Sequence, residues 1–275
     1  MIKRTLAATL LIIFTTSVHA QYFYKDMISN SQVVADMKAY KENKVKKISL
    51  KSFEDNGVES EGFYCEKKIN KDYTKAELFT RADIAAASLF TSTFDKEAKL
   101  LNTYDSSLIS VTEIKYSYNN QQQISSIFST VRSKDEDFAN SITEEHIYTY
   151  ENNKPTKMLR VKNGADTTAI LFSLDDKGNV AIEKDTKNGT KFYYYYDAKN
   201  RLTDIVQENE YSKNLKPDYI FEYNNAGLIT QMTAIEEGSK SYFVWKYNYE
   251  NGMRTKERCF TDERRLMGSI EYEYK

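Results

Sequence analysis

From Thr112 onward, apolar and polar positions alternate in short runs. In "YIFEY" Tyr219, Phe221 and Tyr223 share one face and Ile220 and Glu222 the other; in "FVWKYNY" Phe243, Trp245, Tyr247 and Tyr249 oppose Val244, Lys246 and Asn248. A period of two is that of a half-buried strand, and aromatic residues suit its pleated surface. The runs recur. Tyr118, Tyr150, Leu174, Tyr196, Tyr223 and Tyr247 each end one, and six residues later stand Ile124, Thr156, Val180, Leu202, Ile229 and Met253. The links "DDKG", "DAKN", "NNAG" and "YENG" carry turn chemistry. Asp175, Asp197 and Asn224 can bond the backbone two residues on, and Gly178, Gly227 and Asn200 occupy the place that needs positive φ. Each unit therefore reads as a hairpin, with its tyrosines in the core. The closing "SIEYEYK", with Ile270, Tyr272 and Tyr274 on one face, predicts a last strand that pairs with the final hairpin and closes the array.

Residues 21–110 read differently. "SQVVADMKAYKEN" puts Val33, Met37 and Tyr40 at helical spacing, and the stretch from Tyr73 to Leu101 lacks Gly and Pro, with Leu78, Ala82, Ala85, Leu89 and Phe90 able to share a helix face. The β-formers of "SLFTSTF" keep a strand open for 81–100. One or two helices are expected here, as a cap on the first edge strand or as a lid. Ahead of them, Lys3 and Arg4, an apolar run from Leu6 to Phe14 and the close on Val18-His19-Ala20 have the form of a signal peptide. The expected fold is mainly β: an antiparallel meander of about six β-hairpin repeats in one elongated, twisted or curled sheet, with a small helical N-terminal part. The expected organisation is a signal peptide over 1–20, a helical or mixed capping region over 21–110 and a hairpin-repeat domain over 111–275.

The stretch Tyr194-x-Tyr196-Asp197-x-x-Asn200-Arg201-Leu202-Thr203 resembles the YD, or Rhs-type, repeat of bacterial cell-envelope proteins, with Asn200 where that pattern has Gly; Tyr223, Asn224, Gly227, Ile229 and Thr230 match it in part. The resemblance covers roughly 112–275. It implies hairpins wound into a curling sheet, and an association with surface display, carbohydrate binding or toxin encapsulation. Six units are few for an encapsulating shell.

Charge and chemistry narrow the rest. Without Lys3 and Arg4 the chain has 37 basic and 40 acidic residues, mixed along its length, which argues against nucleic acid as a partner. No second long apolar segment exists, so no membrane span is expected, and an exported location, periplasmic or extracellular, follows. Cys65 and Cys259 are the only cysteines, and in that compartment they form either a disulfide or two separate buried thiols. His146, the one histidine after position 20, shares a face with Tyr148 and Tyr150 and reads as a strand residue rather than a catalytic base. One His and two remote Cys do not make a zinc site, "DDKGN" reads as a turn rather than a calcium loop, and no nucleotide-binding glycine motif occurs, so no metal or cofactor is expected. Tyr193 and Tyr195 point opposite to Phe192, Tyr194 and Tyr196, giving a strand that is aromatic on both faces. They are the candidate ligand-binding residues, able to stack on sugar rings or anchor a partner, unless that face is covered. The expected function is a non-catalytic exported module that binds a glycan or an envelope protein through a sheet face or hairpin loops. The rivals are a glycan hydrolase using two carboxylates and a purely structural envelope protein. Exposed hairpin edges favour self-association.

Overall fold

The structure is a computed structural model and describes residues 23–83, 85–135, 141–209, 212–235 and 241–275; the expected signal peptide lies outside them. Among the described residues one helix, α1 (Lys25–Glu42), precedes eighteen strands. These are β1 (Lys47–Glu54), β2 (Tyr64–Ile69), β3 (Lys75–Ala82), β4 (Ala85–Phe94), β5 (Leu100–Ser106), β6 (Ser110–Tyr118), β7 (Ile124–Ser133), β8 (Ser141–Glu151) and β9 (Lys154–Lys162). There follow β10 (Asp166–Leu174), β11 (Val180–Asp185), β12 (Lys191–Tyr196), β13 (Leu202–Asn209), β14 (Ser212–Tyr223), β15 (Ile229–Ile235), β16 (Tyr242–Glu250), β17 (Met253–Thr261) and β18 (Leu266–Tyr274). Each strand pairs antiparallel with its neighbours in sequence, and β1 also pairs with β18, from Ile48 opposite Tyr274 to Glu54 opposite Gly268. The sheet is thus a closed up-and-down barrel.

Four of the hairpins form as the repeat places them, for local reasons; the other two turn tightly at 152–153 and 251–252, so that Tyr150 faces Pro155 and Tyr247 faces Glu257 rather than Thr156 and Met253. In five turns an Asp or Asn follows the anchor and its side-chain oxygen accepts from backbone N–H groups further on. Asp95 takes Glu97 and Lys99, Asn119 takes Gln121 and Gln123, Asp175 takes Lys177 and Asn179, Asp197 takes Lys199 and Arg201, and Asn224 takes Leu228. The residue with positive φ is Ala98, Gln122, Gly178, Asn200 or Gly227. A bulge at the anchor then re-aims the strand, so that Tyr118 faces Ile124, Leu174 faces Val180, Tyr196 faces Leu202 and Tyr223 faces Ile229.

The anchor tyrosines also join one hairpin to the one before. Tyr118 donates to the Leu100 carbonyl at 2.7 Å, Tyr150 to Ile124 at 2.7 Å, Tyr196 to Val180 at 2.9 Å and Tyr223 to Leu202 at 2.7 Å; Tyr274 reaches Arg254 at 2.6 Å. In the first four the acceptor is the residue that opens the return strand of the preceding hairpin. The ring fills the core, and the hydroxyl satisfies a carbonyl that the bulge leaves off the ladder.

Register sorts the side chains into two walls. The inner wall carries Ile48, Leu100, Ile127, Tyr148, Met158, Ile170, Phe172, Phe192, Tyr194, Ile205, Trp245 and Ile270, all buried. The outer wall carries Lys51, Lys115, Glu145, Lys157, Lys184, Glu222, Lys246 and Glu271, with cross-strand ion pairs such as Lys256–Glu271 and Lys51–Glu273. Helix α1 runs inside, across the end of the barrel that holds the short Asp/Asn turns. Its inward stripe is Asp26, Asn30, Val33, Met37 and Tyr40. The stripe is polar at one end and apolar at the other because it meets His146 and Tyr118 first, then the cluster of Ile48, Ile69, Phe94 and Leu100.

Three expectations are corrected. The sheet is a closed barrel of eighteen strands, not an open or curled sheet of about six hairpins: β1, from the N-terminal third, supplies the partner that β18 needs. The stretch expected to hold a second helix forms β3, β4 and β5, in which Ala76, Leu78, Phe90 and Phe94 face inward at a spacing of two. The remaining helix is not a cap on an edge strand, since the closed barrel has no edge.

Candidate ligand site in the barrel lumen

The start of α1 is tied to the inner wall by side chains from three strands. Glu183 of β11 accepts from the backbone N–H of Phe23 and of Tyr24, each at 2.8 Å, and from the Tyr194 hydroxyl at 2.8 Å. A carboxylate meeting the N–H groups just ahead of a helix satisfies donors that have no partner within it and opposes the positive end of its dipole. Burial pushes the Glu183 carboxyl up to about 7, although those three hydrogen bonds pull it down. Asp26, one turn on, is held by His146 Nδ1 at 2.5 Å and by the Tyr148 hydroxyl at 2.8 Å; His146 Nε2 lies 2.7 Å from Glu144. Burial opposes charging of His146, but the two carboxylates outweigh it and raise the imidazole to about 9. The Phe23 ring sits edge-on to His146 at 5.2 Å and beneath the Arg160 guanidinium at 5.3 Å.

At the other end of α1, Met37 and Val33 help line a cavity of about 100 Å³ with Leu78, Phe90, Lys67 and Asp36. Nearby, Arg254 lies 4.2 Å from the Tyr247 ring and 3.1 Å from Glu257, which also accepts from Tyr272.

At the rim away from the helix the inner wall meets water. Val131 and Ile142 face each other on the inner wall near the rim, yet they are 38% and 60% exposed. A large apolar pair pointing inward and still wet marks an accessible mouth, and barrels of 16 to 18 strands are wide enough to leave interior space. Going down β8 from Ile142, the inner wall changes from Glu144 to His146 to Tyr148, so the cup is charged in its upper half and aromatic at its floor.

The candidate residues fall on different walls. Tyr193 and Tyr195 are on the outer wall, Tyr193 donating to Glu208 at 2.7 Å and Tyr195 46% exposed, while Phe192 and Tyr194 of the same strand are buried inside. His146 belongs to the helix attachment. Cys65 and Cys259 are buried free thiols. β1 and β18 lie between their strands, a spread of about 14 Å at the usual strand spacing, twice what a disulfide spans. Burial raises the Cys65 thiol and pushes that of Cys259 up to about 12, so neither is an activated nucleophile. Sequence reading missed Glu183, Asp26 and Arg160. Each lies among ordinary alternating positions, and only the helix brings them together.

Fold and site together define a closed up-and-down β-barrel with charged and apolar residues mixed on its outer wall, charged and aromatic residues in its lumen and a helix across one end. No family model and no curated protein matches the chain. Among solved structures it is similar to a porin-like protein from Bacteroides uniformis, at 12% identity and a TM-score of 0.40 over 84% of this chain and 96% of that one. It is also similar to the TcdB2-TccC3-Cdc42 structure, at 9% identity and a TM-score of 0.26, and to the Tc holotoxin pore of Photorhabdus luminescens, at 10% and 0.30; each covers 78% of this chain and 16% of the other. Likenesses this slight assign no function here.

Proposed function

We propose that this chain is an exported, non-catalytic binding protein whose outer wall faces water and whose lumen receives an envelope or extracellular ligand, a glycan or a protein segment. The observation that carries the reading is the direction of polarity. A barrel that spans a bilayer is apolar outside and polar inside, and an outward Lys or Arg at mid-bilayer costs about 2–4 kcal/mol. Here Lys115, Lys157, Lys184 and Lys246 stand on the outer wall among exposed Phe79, Phe128, Leu171 and Tyr195, and the buried rings of Tyr148, Phe172, Phe192, Tyr194 and Trp245 point in. Aromatic side chains at the floor of an accessible cup suit sugar faces and apolar side chains alike. The hydrolase rival loses support because the inner-wall carboxylates Asp26 and Glu183 are engaged in holding the helix, and Glu144 in holding His146.

Trp245, the only tryptophan, is buried on the inner wall and serves as a lumen reporter. Glycan-array and pull-down screening of the mature protein should yield a ligand that changes Trp245 fluorescence and is blocked by Ile142→Trp at the mouth. A ligand that binds without either effect, and is lost in the Tyr193→Ser/Tyr195→Ser double variant, would sink the lumen reading. It would place binding on the outer platform instead, a second reading that the exposure of Tyr195 favours.

A further inference from the structure

We infer that the inner wall at Arg160 and Thr168 is a binding site for an oxyanion group, a carboxylate, sulfate or phosphate, carried by the lumen ligand. The inference rests on the reading of the lumen as the binding compartment and names the chemistry that compartment selects. Arg160 on β9 and Thr168 on β10 are directly opposed, with their side chains inward, and His146 flanks Arg160 on the other side. Side chains so placed have Cβ atoms about 4.5–5.5 Å apart. Arg160 Nε and Thr168 Oγ1 are both buried, and neither has a hydrogen-bond partner among the described residues. Thr168 is only 3% exposed.

Two other buried atoms share that condition, Asn102 Oδ1 and Arg258 Nε, but their side chains bond elsewhere: Asn102 donates to Glu113 and Arg258 to Asn248. The Arg160 and Thr168 side chains make no such bond, and they stand side by side. Arg160 acts through space on Glu144 and Asp166 but makes no ion pair or hydrogen bond with either among the described residues. Asp26 and Glu144 clasp His146, Glu144 also meets Lys162 at 3.5 Å, Asp166 pairs with Lys187 at 2.7 Å, and Glu183 receives the helix N–H groups. What remains is a guanidinium lying over the Phe23 ring, with a free hydroxyl beside it and Lys162 one step closer to the mouth. A guanidinium fork matches two oxygens of one oxyanion, and the threonine hydroxyl can donate to the same group. Buried donors left bare in a folded protein mark a place for a missing partner.

The test is calorimetric titration of the mature protein, at constant ionic strength, with acetate, glucuronate, inorganic phosphate and sulfate. Saturable binding of at least one probe is expected, weakened tenfold or more by Arg160→Gln and by Thr168→Val, and unchanged by Lys157→Gln on the outer wall of the same strand. Preference for acetate or glucuronate would assign a carboxylate, and preference for phosphate or sulfate a tetrahedral group. Thr168→Val should leave the melting temperature of the free protein unchanged or higher, since it removes an unpartnered hydroxyl. Failure of all four probes to saturate, wild-type binding in both variants, or a lower melting temperature in Thr168→Val with binding intact would each overturn the site. The last outcome would assign the hydroxyl to an internal water. If a screened glycan or protein still changes Trp245 fluorescence in Arg160→Gln, only the oxyanion site fails; if nothing reaches Trp245, the lumen reading fails with it.

Discussion

The Tyr196 and Tyr223 hydroxyls each hold the carbonyl that begins the return strand of the preceding hairpin. Replacing either by Phe keeps the ring and removes one hydrogen bond, so a cost of about 1 kcal/mol each is expected. At this chain length that is a drop of roughly 2–4 °C in melting temperature. Tyr195→Phe on the outer wall should stay within about 0.5 kcal/mol. Equal losses at all three positions would show that the hydroxyls do not join the hairpins. Gly227 has a φ of +82° and nothing within 4 Å of the place a Cβ would occupy. Gly227→Ala should therefore cost only backbone strain, about 1–2 kcal/mol by chemical unfolding, and Gly227→Asn less. This layer of the structure was legible because Asp, Asn and Gly act within four residues of themselves. One turn escaped: Phe94 and Leu100 are six apart with Asp95 following the anchor, but Ala98 holds the positive-φ place and disguises the copy. The tyrosine acceptors escaped as well, since they belong to another hairpin.

Helix α1 was half legible. Val33, Met37 and Tyr40 have the helical period, but the same stripe continues through Asn30 and Asp26, which look like solvent positions until His146, Tyr118 and Tyr148 are set against them. Its attachment should weaken as pH rises. His146 stands at about 9, above its ordinary 6.5, so its contribution is complete below about 6.5 and lost as pH climbs through 9. Glu183 at about 7 lies above its ordinary 4.5, so its contribution is lost as pH climbs through 7. Hydrogen exchange of 25–42, corrected for the intrinsic pH dependence and referred to β8, should therefore speed up between pH 6 and 9.5. His146→Gln should flatten the upper part of that rise, and a ratio constant with pH would refute the linkage. The helix expected within 73–101 failed for a related reason. Period two is present in β3 and β4, but Ala76, Ala82, Ala85 and Ser92 dilute it, and small residues fit a helix face equally well.

Closure governs the whole molecule. β18 satisfies the edges of both β17 and β1, so removing 266–275 should leave two open edges in a wall that is otherwise continuous. Size-exclusion chromatography with light scattering should show that variant as oligomer or aggregate; a well-folded monomer would mean that the pairing of β1 with β18 is dispensable. From the sequence alone came the two-residue alternation, the hairpin turns between Tyr118 and Met253 and the inward place of most tyrosines, because each depends on side chains and backbone a few residues apart. Only the tertiary structure decided that the sheet closes, that an N-terminal strand meets the last one, that the helix lies within, and that Arg160 and Thr168 stand together in the lumen. Those features depend on contacts between segments as far apart in the chain as Ile48 and Tyr274, whose entropic cost is met by the whole wall at once and which leave no periodicity in any one stretch of chain.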